Sequence, residues 1–342
     1  MQKEILGRES ILKLHLNGKI LFFTQRALFE NFSNILNLQL KNCNISFYFE
    51  MTENPKREEI QKAQNFFAEE SFDAIIAFGG GSVIDFAKAF RFFDRRFQTK
   101  LIAVPTTAGT GSEATQFSVV YENGNKTSLD DSLVLPDIAL VDSQFSESAP
   151  IKVKASCAFD AYCQAIESFW AKKATLTSRR YSLQAINLCR MYLREAVLSE
   201  DVFANEQMAL AAHLAGKAIN ISRTTAAHAL SYKITSRYGI PHGHAVALSL
   251  PGLFKINLPA MEKAERETLL TALGLQNPKE FSFYFWKLMQ DVGLENKISK
   301  LGITDIEDIV DSVNADRLKN NVKDLTSQEL KEILILNEEE EG

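Results

Sequence analysis

Cysteine, proline and long apolar runs are all scarce in this chain of 342 residues. The four cysteines (Cys43, Cys157, Cys163 and Cys189) show no Cys-x-x-Cys spacing, which argues against a disulfide framework and favours free thiols in a reducing compartment. No apolar run approaches the roughly 18 residues of a membrane span. The first residues, 1–4, lack the apolar segment of a signal peptide. We therefore expect a cytoplasmic protein.

An excess of positive charge is also absent. The formal net charge is −5, so nothing in the charge balance predicts binding to nucleic acid or to a membrane. The composition, 46% hydrophobic and 24% charged, is typical of a globular protein. A chain of this length is long enough for two domains. The expected partners are therefore small molecules.

Short apolar runs alternate with helical patterns up to about residue 148. Continuously apolar runs separated by helices predict a parallel sheet covered on both faces. The predicted strands are 19–24, 45–49, 74–78, 101–104 and 138–141, and the predicted helices are 27–38, 56–70 and 83–93. Asn123-Gly124 additionally predicts a hairpin turn.

Helical periodicity dominates after Pro150, with almost no strand signal. The predicted helices are 155–171, 177–196, 205–218, 226–238 and 264–273. We therefore expect two domains, an α/β domain over residues 1–148 and an all-helical domain over residues 149–342.

Three glycines, Gly79, Gly80 and Gly81, follow the predicted strand 74–78 and precede a helix predicted to begin at Ser82. Glycine permits positive φ and close approach of a ligand to the backbone. A helix N-terminus offers free N–H groups and a positive dipole end to phosphate. Ser82 and Asp85 also fit a Ser-x-x-Asp capping pattern. The pattern predicts a phosphate site, and ordinary turn chemistry is the alternative.

A second loop, 105–113 (PTTAGTGSE), follows the next predicted strand. Ligands of open α/β sheets bind at the C-terminal ends of the strands. The hydroxyls of Thr106, Thr107, Thr110 and Ser112 are therefore expected to line the same crevice as the glycines. A Ser/Thr-rich surface turn is the alternative.

Three of the five histidines, His228, His242 and His244, lie in one segment, the last two in a predicted Pro-His-Gly-His turn. Upstream, Asp160 and Gln164 are spaced i and i+4 and share one helix face. A carboxylate in so apolar a helix needs a partner, and a divalent ion would serve. The alternatives are that Asp160 caps a helix and that the histidines are satisfied core residues.

These segments together resemble the iron-containing (group III) alcohol dehydrogenase family, which is related in fold to glycerol dehydrogenase and dehydroquinate synthase. The motifs that carry the resemblance are 79–82 with Asp85, 105–113, the helix from Asp160 and the segment from His228 to Gly243. The resemblance implies an N-terminal dinucleotide-binding domain with a Rossmann-like parallel sheet and an all-α C-terminal domain.

The resemblance also implies how a nicotinamide cofactor would bind. The pyrophosphate would lie on Gly80, Gly81 and Ser82, within the motif that also contains Gly79 and Asp85. Thr106 and Thr107, with Ser112 in the same motif, would line the cofactor. Lys126 matches the family lysine near the nicotinamide ribose, and Asn54 matches a residue near the adenosine.

Two residues after the strand 19–24 bear on the choice of cofactor. Members that use NAD place an acidic residue there to bind the ribose 2′-hydroxyl, whereas this chain has Gln25 followed by Arg26. Without the acidic group a 2′-phosphate is not repelled, and Arg26 is placed to pair with it. We therefore expect NADP(H) to be favoured over NAD(H).

The family holds its metal with one Asp and three His, and Asp160, His228 and His242 match three of those positions. Gln164 stands at the fourth, where its neutral carbonyl is a weaker ligand for Fe²⁺ or Zn²⁺ than imidazole. Coordination by Gln164, a water in its place, and weak or absent metal binding all stay open. Three protein ligands are enough for a catalytic zinc site.

The implied reaction is reversible hydride transfer between the nicotinamide and a small aldehyde or alcohol. Tyr232 stands where many members have a proton-relay histidine, and His244 is a further candidate for proton transfer, with an exposed turn histidine as its alternative reading. The segment 215–248 resembles the branch that includes phosphonoacetaldehyde reductases. Lys217, Arg223 and Arg237 are therefore candidates to hold a phosphonate or phosphate group, although each also fits ordinary surface charge.

Other functions stay open at this point. A reductase of a neutral aldehyde or polyol has the same motifs, and a dehydroquinate synthase-like lyase with bound NAD shares the architecture. A non-catalytic binding protein is the third alternative, supported only by Gln164. A homodimer is a candidate assembly.

Overall fold

The computed structural model describes residues 2–122 and 125–339, and the side chains of residues 125, 126 and 337–339 are not described. The chain divides into two units, Met1–Ala149 and Pro150–Gly342. Among the described residues no helix combines the length and apolar character that crossing a membrane requires.

The first unit alternates strands and helices. Its strands are β1 (Lys3–Leu6), β2 (Gly18–Phe23), β3 (Cys43–Tyr48), β4 (Ala74–Gly79), β5 (Lys100–Pro105), β6 (Phe117–Glu122), β7 (Asn125–Asp130) and β8 (Ile138–Val141). Its helices are α1 (Arg26–Leu40), α2 (Arg57–Phe66), α3 (Gly81–Phe93) and α4 (Gln144–Glu147).

Six of these strands form one sheet in the order β1-β8-β5-β4-β2-β3, and every pair in it is parallel. The predicted parallel sheet is thereby confirmed. The sequence prediction missed β1, because its four residues start with the exposed Lys3 and Glu4 and give too short an apolar signal. Strands β6 and β7 pair antiparallel as a separate hairpin. The predicted turn, Asn123-Gly124, lies outside the described residues.

Alternate residues of the central strands face opposite sides of the sheet. Leu21, Phe23 and Ile75 pack with residues of α2 and α3 in one core. Phe22 and Ile76 pack with residues of α1 in the other. Burial on both faces is why these strands are continuously apolar in sequence.

The second unit is helical throughout its described part. Its helices are α5 (Ile151–Trp170), α6 (Leu176–Leu198), α7 (Val202–Ser222), α8 (Ala226–Tyr238), α9 (His242–Asn257), α10 (Lys263–Leu273), α11 (Glu280–Asp291), α12 (Ile306–Asp311), α13 (Ala315–Leu318) and α14 (Ser327–Glu339). Helix α5 contacts α6, α7 and α9 and is buried from Ala158 to Trp170. A helix enclosed on all sides is apolar all round, so the polar residues within it stand out.

Candidate functional site

The glycine turn lies where β4 ends and α3 begins, at the C-terminal edge of the sheet. Helix α3 begins at Gly81, with Gly80 as its N-cap residue and no side-chain cap. The predicted Ser82–Asp85 cap is therefore wrong. Asp85 instead accepts hydrogen bonds from Ser112 Oγ at 2.5 Å and from the Val119 amide at 3.0 Å.

Two of the three glycines, Gly79 and Gly81, are needed for space and not for backbone conformation. None of them has a positive φ, so that part of the prediction is wrong. A Cβ on Gly79 would lie 2.6 Å from Val83 Cγ2, and one on Gly81 would lie 2.9 Å from Thr110 Cγ2. The nearest atoms to a Cβ on Gly80 would be 3.7 Å away, on Thr107. The turn is therefore tightly packed at its two ends and has room at Gly80.

The loop 105–113 and Asn54 converge on this turn. Gly79 and Pro105 are register partners at the ends of β4 and β5, and the Thr106 amide donates to the Gly79 carbonyl at 3.1 Å. Asn54, in a left-handed conformation with φ 58°, donates its amide to Ser82 Oγ at 3.3 Å. Bare N–H groups of a first helical turn with hydroxyls around them suit a phosphate. Cofactor contact by these residues stays a prediction.

A buried lysine that sequence reasoning missed joins α3 to this loop. Lys88 is fully buried, and its Nζ donates to Ser112 Oγ at 2.9 Å, Thr115 Oγ1 at 3.2 Å and the Phe117 carbonyl at 2.8 Å. Ser112 in turn donates to Asp85. The Ser112 hydroxyl thus holds the loop against the helix. The signal for Lys88 in the sequence is its i+3 spacing from Asp85 in a largely apolar helix.

This network predicts a pH-dependent difference in stability between the protein and its Lys88→Met variant. Burial lowers the pKa of Lys88 from 10.5 to about 8, against the opposing charges of Asp85 and Glu113. Between these two pH values the unfolded chain binds more protons at this site, so this group adds stability as pH rises. Between pH 8 and pH 10.5, the free energy of unfolding of the unmodified chain should therefore rise relative to that of the variant, by up to roughly 1.4 kcal/mol per pH unit.

The measurement is the free energy of unfolding by urea, for both proteins, from pH 7 to pH 10 (a range set by the Lys88 pKa values). Below pH 8 the difference should be flat, since the lysine is then charged in both states. Parallel pH profiles across the whole range would show that the buried amine does not titrate there.

The residues predicted to select the cofactor lie at the end of β2. Gln25 is exposed and is the N-cap residue of α1. Arg26 is also exposed, and its guanidinium carbon lies 4.4 Å from the centre of the Phe49 ring. Lys126 lies in β7 opposite Tyr121. The structure describes no contact of Gln25 or Arg26 with the glycine turn, and their roles stay predictions.

In the second unit, Asp160, His228 and His242 come together from three helices. The ligand atoms of these residues all lie within 4.8 Å of one another. Asp160 Oδ1 is 3.3 Å from His228 Nε2 and 3.9 Å from His242 Nε2. Asp160 lies inside α5, so it does not cap a helix. His242 and His244 were predicted to lie in a Pro-His-Gly-His turn. They lie instead in the first turn of a helix, because α9 begins directly after Pro241.

Glu167, which the sequence reasoning did not single out, orients this cluster from one side. It is fully buried, and its Oε2 hydrogen-bonds to His228 Nδ1. Its Oε1 accepts hydrogen bonds from Thr225 Oγ1 at 2.6 Å and from the Ala227 amide at 2.8 Å, at the N-terminus of α8. A carboxylate that accepts a hydrogen bond from the Nδ1–H group leaves Nε2 as the atom available to a metal, on the side of Asp160, as in many metal sites. Its signal in the sequence is the i+7 spacing from Asp160.

The electrostatics of the cluster also fit a cation. Burial alone would lower the pKa of His228, but Glu167 and Asp160 raise it to about 9. Burial raises the pKa of Asp160, yet the two histidines and a hydrogen bond from the Gln164 amide bring it below its ordinary value. Two buried carboxylates therefore demand positive charge here, which a divalent ion provides. Whether Gln164 also coordinates stays a prediction.

Tyr232 and His244 occupy different surroundings. The Tyr232 ring lies parallel to the His242 ring, with a 6° angle and 6.2 Å between centres. His244 is buried, and its Nε2 hydrogen-bonds to the Glu295 carbonyl at 2.6 Å. Burial lowers the pKa of His244. The reading of His244 as an exposed turn histidine is therefore wrong, and Tyr232 is the one of the two whose ring lies parallel to the His242 ring. Proton transfer by either residue stays a prediction.

The three predicted anion-binding residues are dispersed over the unit. Lys217 Nζ lies 4.5 Å from the centre of the Tyr181 ring. Arg223 has a left-handed backbone, with φ 66°, and donates to the Asn220 carbonyl at 2.6 Å. Arg237 is exposed and forms ion pairs with Asp305 and Asp308. The charge of Arg237 is thus already compensated within the chain.

Comparison with known protein families assigns both units. Residues 8–143 match the family model "Iron-containing alcohol dehydrogenase", and residues 154–337 match "Fe-containing alcohol dehydrogenase family, C-terminal". The chain belongs to the iron-containing alcohol dehydrogenase family. This membership confirms the predicted fold class and the resemblance from which it was inferred.

The relatives of this chain differ from one another in the cofactor or the substrate that their names state. The chain is 34% identical to an NADPH-dependent butanol dehydrogenase of Clostridium saccharobutylicum, over 59% of this chain and 57% of that protein. It is 33% identical to a phosphonoacetaldehyde reductase of Streptomyces viridochromogenes, over 56% of each. The chain thus spans just over half the length of these curated relatives.

A solved structure is similar over nearly the whole chain. It is the sulfoacetaldehyde reductase of Bifidobacterium kashiwanohense in complex with NAD⁺, with a TM-score of 0.90 and 25% identity, covering 99% of this chain and 98% of that one. The similarity in fold therefore extends over both units.

Proposed function

We propose that this protein is a metal-dependent, NAD(P)-linked alcohol dehydrogenase that works as a reductase of a small aldehyde. The observation that carries the proposal is the set of Asp160, His228 and His242 with Glu167 behind His228. Family membership and the packed glycine turn support it. The same ligand set would also suit a non-catalytic metal-binding protein, so turnover of an aldehyde is what distinguishes the two functions.

The proposed mechanism assigns each residue a task. A divalent ion, Fe²⁺ or Zn²⁺, would polarise the substrate carbonyl when bound. Asp160, His228 and His242 would hold it, and Glu167 would keep His228 in the Nδ1-protonated tautomer. The Tyr232 phenol, parallel to the His242 ring, would donate the proton that the product alcohol needs. The Gly80 turn would seat the dinucleotide pyrophosphate.

We propose NADP(H) as the preferred cofactor. Gln25 brings no negative charge against a 2′-phosphate, and the exposed Arg26 guanidinium is free to approach one because it lies on an aromatic face and has no carboxylate partner among the described residues. An NADPH-dependent relative and a similar structure with NAD⁺ show that both cofactors occur among related proteins.

We propose an aldehyde with a phosphonate, phosphate or similar acidic group as the substrate. Two of the similar proteins act, by name, on phosphonoacetaldehyde and on sulfoacetaldehyde. Both are two-carbon aldehydes that carry a tetrahedral oxyanion. The alternative substrate class is a short neutral aldehyde or polyol, as the butanol dehydrogenase relative illustrates.

The test is the oxidation of NADPH and NADH by metal-loaded protein, with phosphonoacetaldehyde, glycolaldehyde and propanal as substrates. The expected result is stoichiometric loss of reduced cofactor, faster with NADPH and fastest with phosphonoacetaldehyde. A lyase would regenerate its NAD and show no net oxidation. Absence of turnover with every aldehyde and both cofactors would contradict the proposed function.

A further inference from the structure

Arg317, in the short helix α13, places a cation beside the Tyr232 ring. Its guanidinium carbon lies 4.9 Å from the ring centre, and its Nη1 lies 3.5 Å from Thr224 Oγ1, at the limit of a hydrogen bond. Tyr232 is the residue whose ring lies parallel to His242. The Tyr232 ring thus lies beside both Arg317 and His242. His242 belongs to the candidate set of metal ligands.

Arg317 differs from the basic residues near it in that it forms no ion pair with a described carboxylate. Arg237 pairs with Asp305 and Asp308, Lys233 pairs with Asp308, and Lys319 pairs with Asp316. Among the side chains that the structure describes, Arg317 has no carboxylate partner. It is also only partly exposed. A half-buried guanidinium whose contacts are one ring and one hydroxyl retains most of its donors for a ligand.

The spacing suits a short substrate. The ring centres of His242 and Tyr232 are 6.2 Å apart and the Arg317 guanidinium carbon is 4.9 Å from the Tyr232 centre, so at most 11.1 Å separates the centre of the His242 ring from that carbon. A substrate whose carbonyl meets the metal cluster and whose acid group stands one or two carbons away would extend toward the guanidinium. The planar guanidinium matches two oxygens of a tetrahedral oxyanion, and the Tyr232 ring lies within cation–π distance of it.

We propose that Arg317 is the specificity-determining residue that binds the acidic group of the substrate, a phosphonate or sulfonate on a two-carbon aldehyde. The inference rests on the proposed aldehyde reductase function and assigns to Arg317 the task that the sequence suggested for Lys217, Arg223 or Arg237. Arg237 is already occupied by two carboxylates. The guanidinium would fix the acid end of the substrate while the carbonyl end lies at Asp160, His228 and His242.

The experiment compares the metal-loaded enzyme with Arg317→Gln, Arg317→Lys and the control Lys319→Gln, using phosphonoacetaldehyde, sulfoacetaldehyde and propanal. Arg317→Gln should lower kcat/KM for the anionic aldehydes about 10- to 100-fold, mainly through KM, and leave propanal within about twofold. Arg317→Lys should retain part of the effect as a point charge. Lys319 lies two residues from Arg317 and is exposed and paired with Asp316. Lys319→Gln removes the same positive charge and should leave kcat/KM for all three aldehydes unchanged.

Two outcomes would overturn the inference. One is an equal loss on propanal and the anionic aldehydes in Arg317→Gln, which indicates a general structural role. The other is an unchanged KM for both anionic aldehydes. The relative rates of the phosphonate and the sulfonate identify which acid the site prefers, and a preference for either supports the inference.

Binding of ethylphosphonate, measured by calorimetry on the metal-loaded protein, separates this inference from the proposed function. Weaker binding to Arg317→Gln than to the unmodified protein supports the anion site even if no aldehyde is reduced. Equal binding to both overturns the site even if propanal is reduced. Failure of all aldehydes to react would instead remove the proposed function.

Discussion

Replacing Asp160 with alanine is expected to abolish aldehyde reduction together with metal binding. Asp160 is the member of the cluster that lies within hydrogen-bond distance of His228 and is also close to His242, and it supplies the negative ligand. Its loss leaves two imidazoles and, where it coordinates, the neutral carbonyl of Gln164, a set without a negative ligand and too weak for a stable divalent site. Polarisation of a carbonyl by a metal is worth several kcal/mol, so kcat/KM should fall by at least about a thousandfold.

Metal content after dialysis against a weak chelator and kcat/KM with propanal are the two measurements for this variant. Asp324→Ala is the matched control in the same unit, because the Asp324 side chain is 90% exposed and its one ion-pair partner among the described residues is Lys172. The control should keep both its metal and its activity. An Asp160→Ala protein that turns over at the normal rate would contradict the metal mechanism.

Gly243→Ala is expected to destabilise the helical unit and to disturb the metal cluster at once. A Cβ on Gly243 would lie 1.9 Å from the Ser156 carbonyl oxygen and 2.8 Å from Asp160 Cβ. The first of these atoms is backbone, so α9 has to move away from α5. The movement carries His242, the preceding residue, away from Asp160. Overpacking of this kind costs about 1–3 kcal/mol or more, and the metal affinity should fall in addition.

Gly252→Ala is the steric control on the same helix. Its Cβ would lie 2.7 Å from the Ile333 carbonyl oxygen, on α14 and far along α9 from His242. Both variants should lower the free energy of unfolding measured with urea, but only Gly243→Ala should weaken metal binding. Equal metal affinity in the two variants would show that the approach of α9 to α5 at Gly243 does not set the ligand geometry.

The division into a parallel α/β half and a helical half could be predicted from sequence because it depends on local pattern. Strands buried on both faces are continuously apolar, and helices carry their 3.6-residue period wherever they pack. Strand β8 and helix α8 have their predicted bounds. Strand β1 was missed because a four-residue edge element with exposed Lys3 and Glu4 has no such pattern.

The errors at the site arise where tertiary contacts override local rules. Asp85 and Ser82 fit a capping pattern, but Asp85 is engaged by Ser112 and Val119 from a distant segment. Gly79 and Gly81 have no room for a side chain because Val83 and Thr110 pack against them, and neither has a positive φ. No local rule distinguishes glycine kept for space from glycine kept for φ.

The residues that sequence reasoning missed have their partners far along the chain. Glu167 meets His228 across 61 positions, and Lys88 meets Ser112 across 24. Arg317 lies near Tyr232 only because α13 packs on α8. Asp160, His228 and His242 also lie far apart along the chain, and they were found in advance because the helix from Asp160 and the segment from His228 to Gly243 resemble the metal-binding motifs of the family.

The central claim is that a divalent ion on Asp160, His228 and His242 enables this chain to transfer hydride from a reduced nicotinamide to an aldehyde. The most direct measurement is the rate of NADPH oxidation with phosphonoacetaldehyde before chelation, after chelation, and after one equivalent of Fe²⁺ or Zn²⁺ is restored. The rate should vanish with the metal and return with it, in proportion to the ion bound. Undiminished turnover by the metal-free protein would contradict the account.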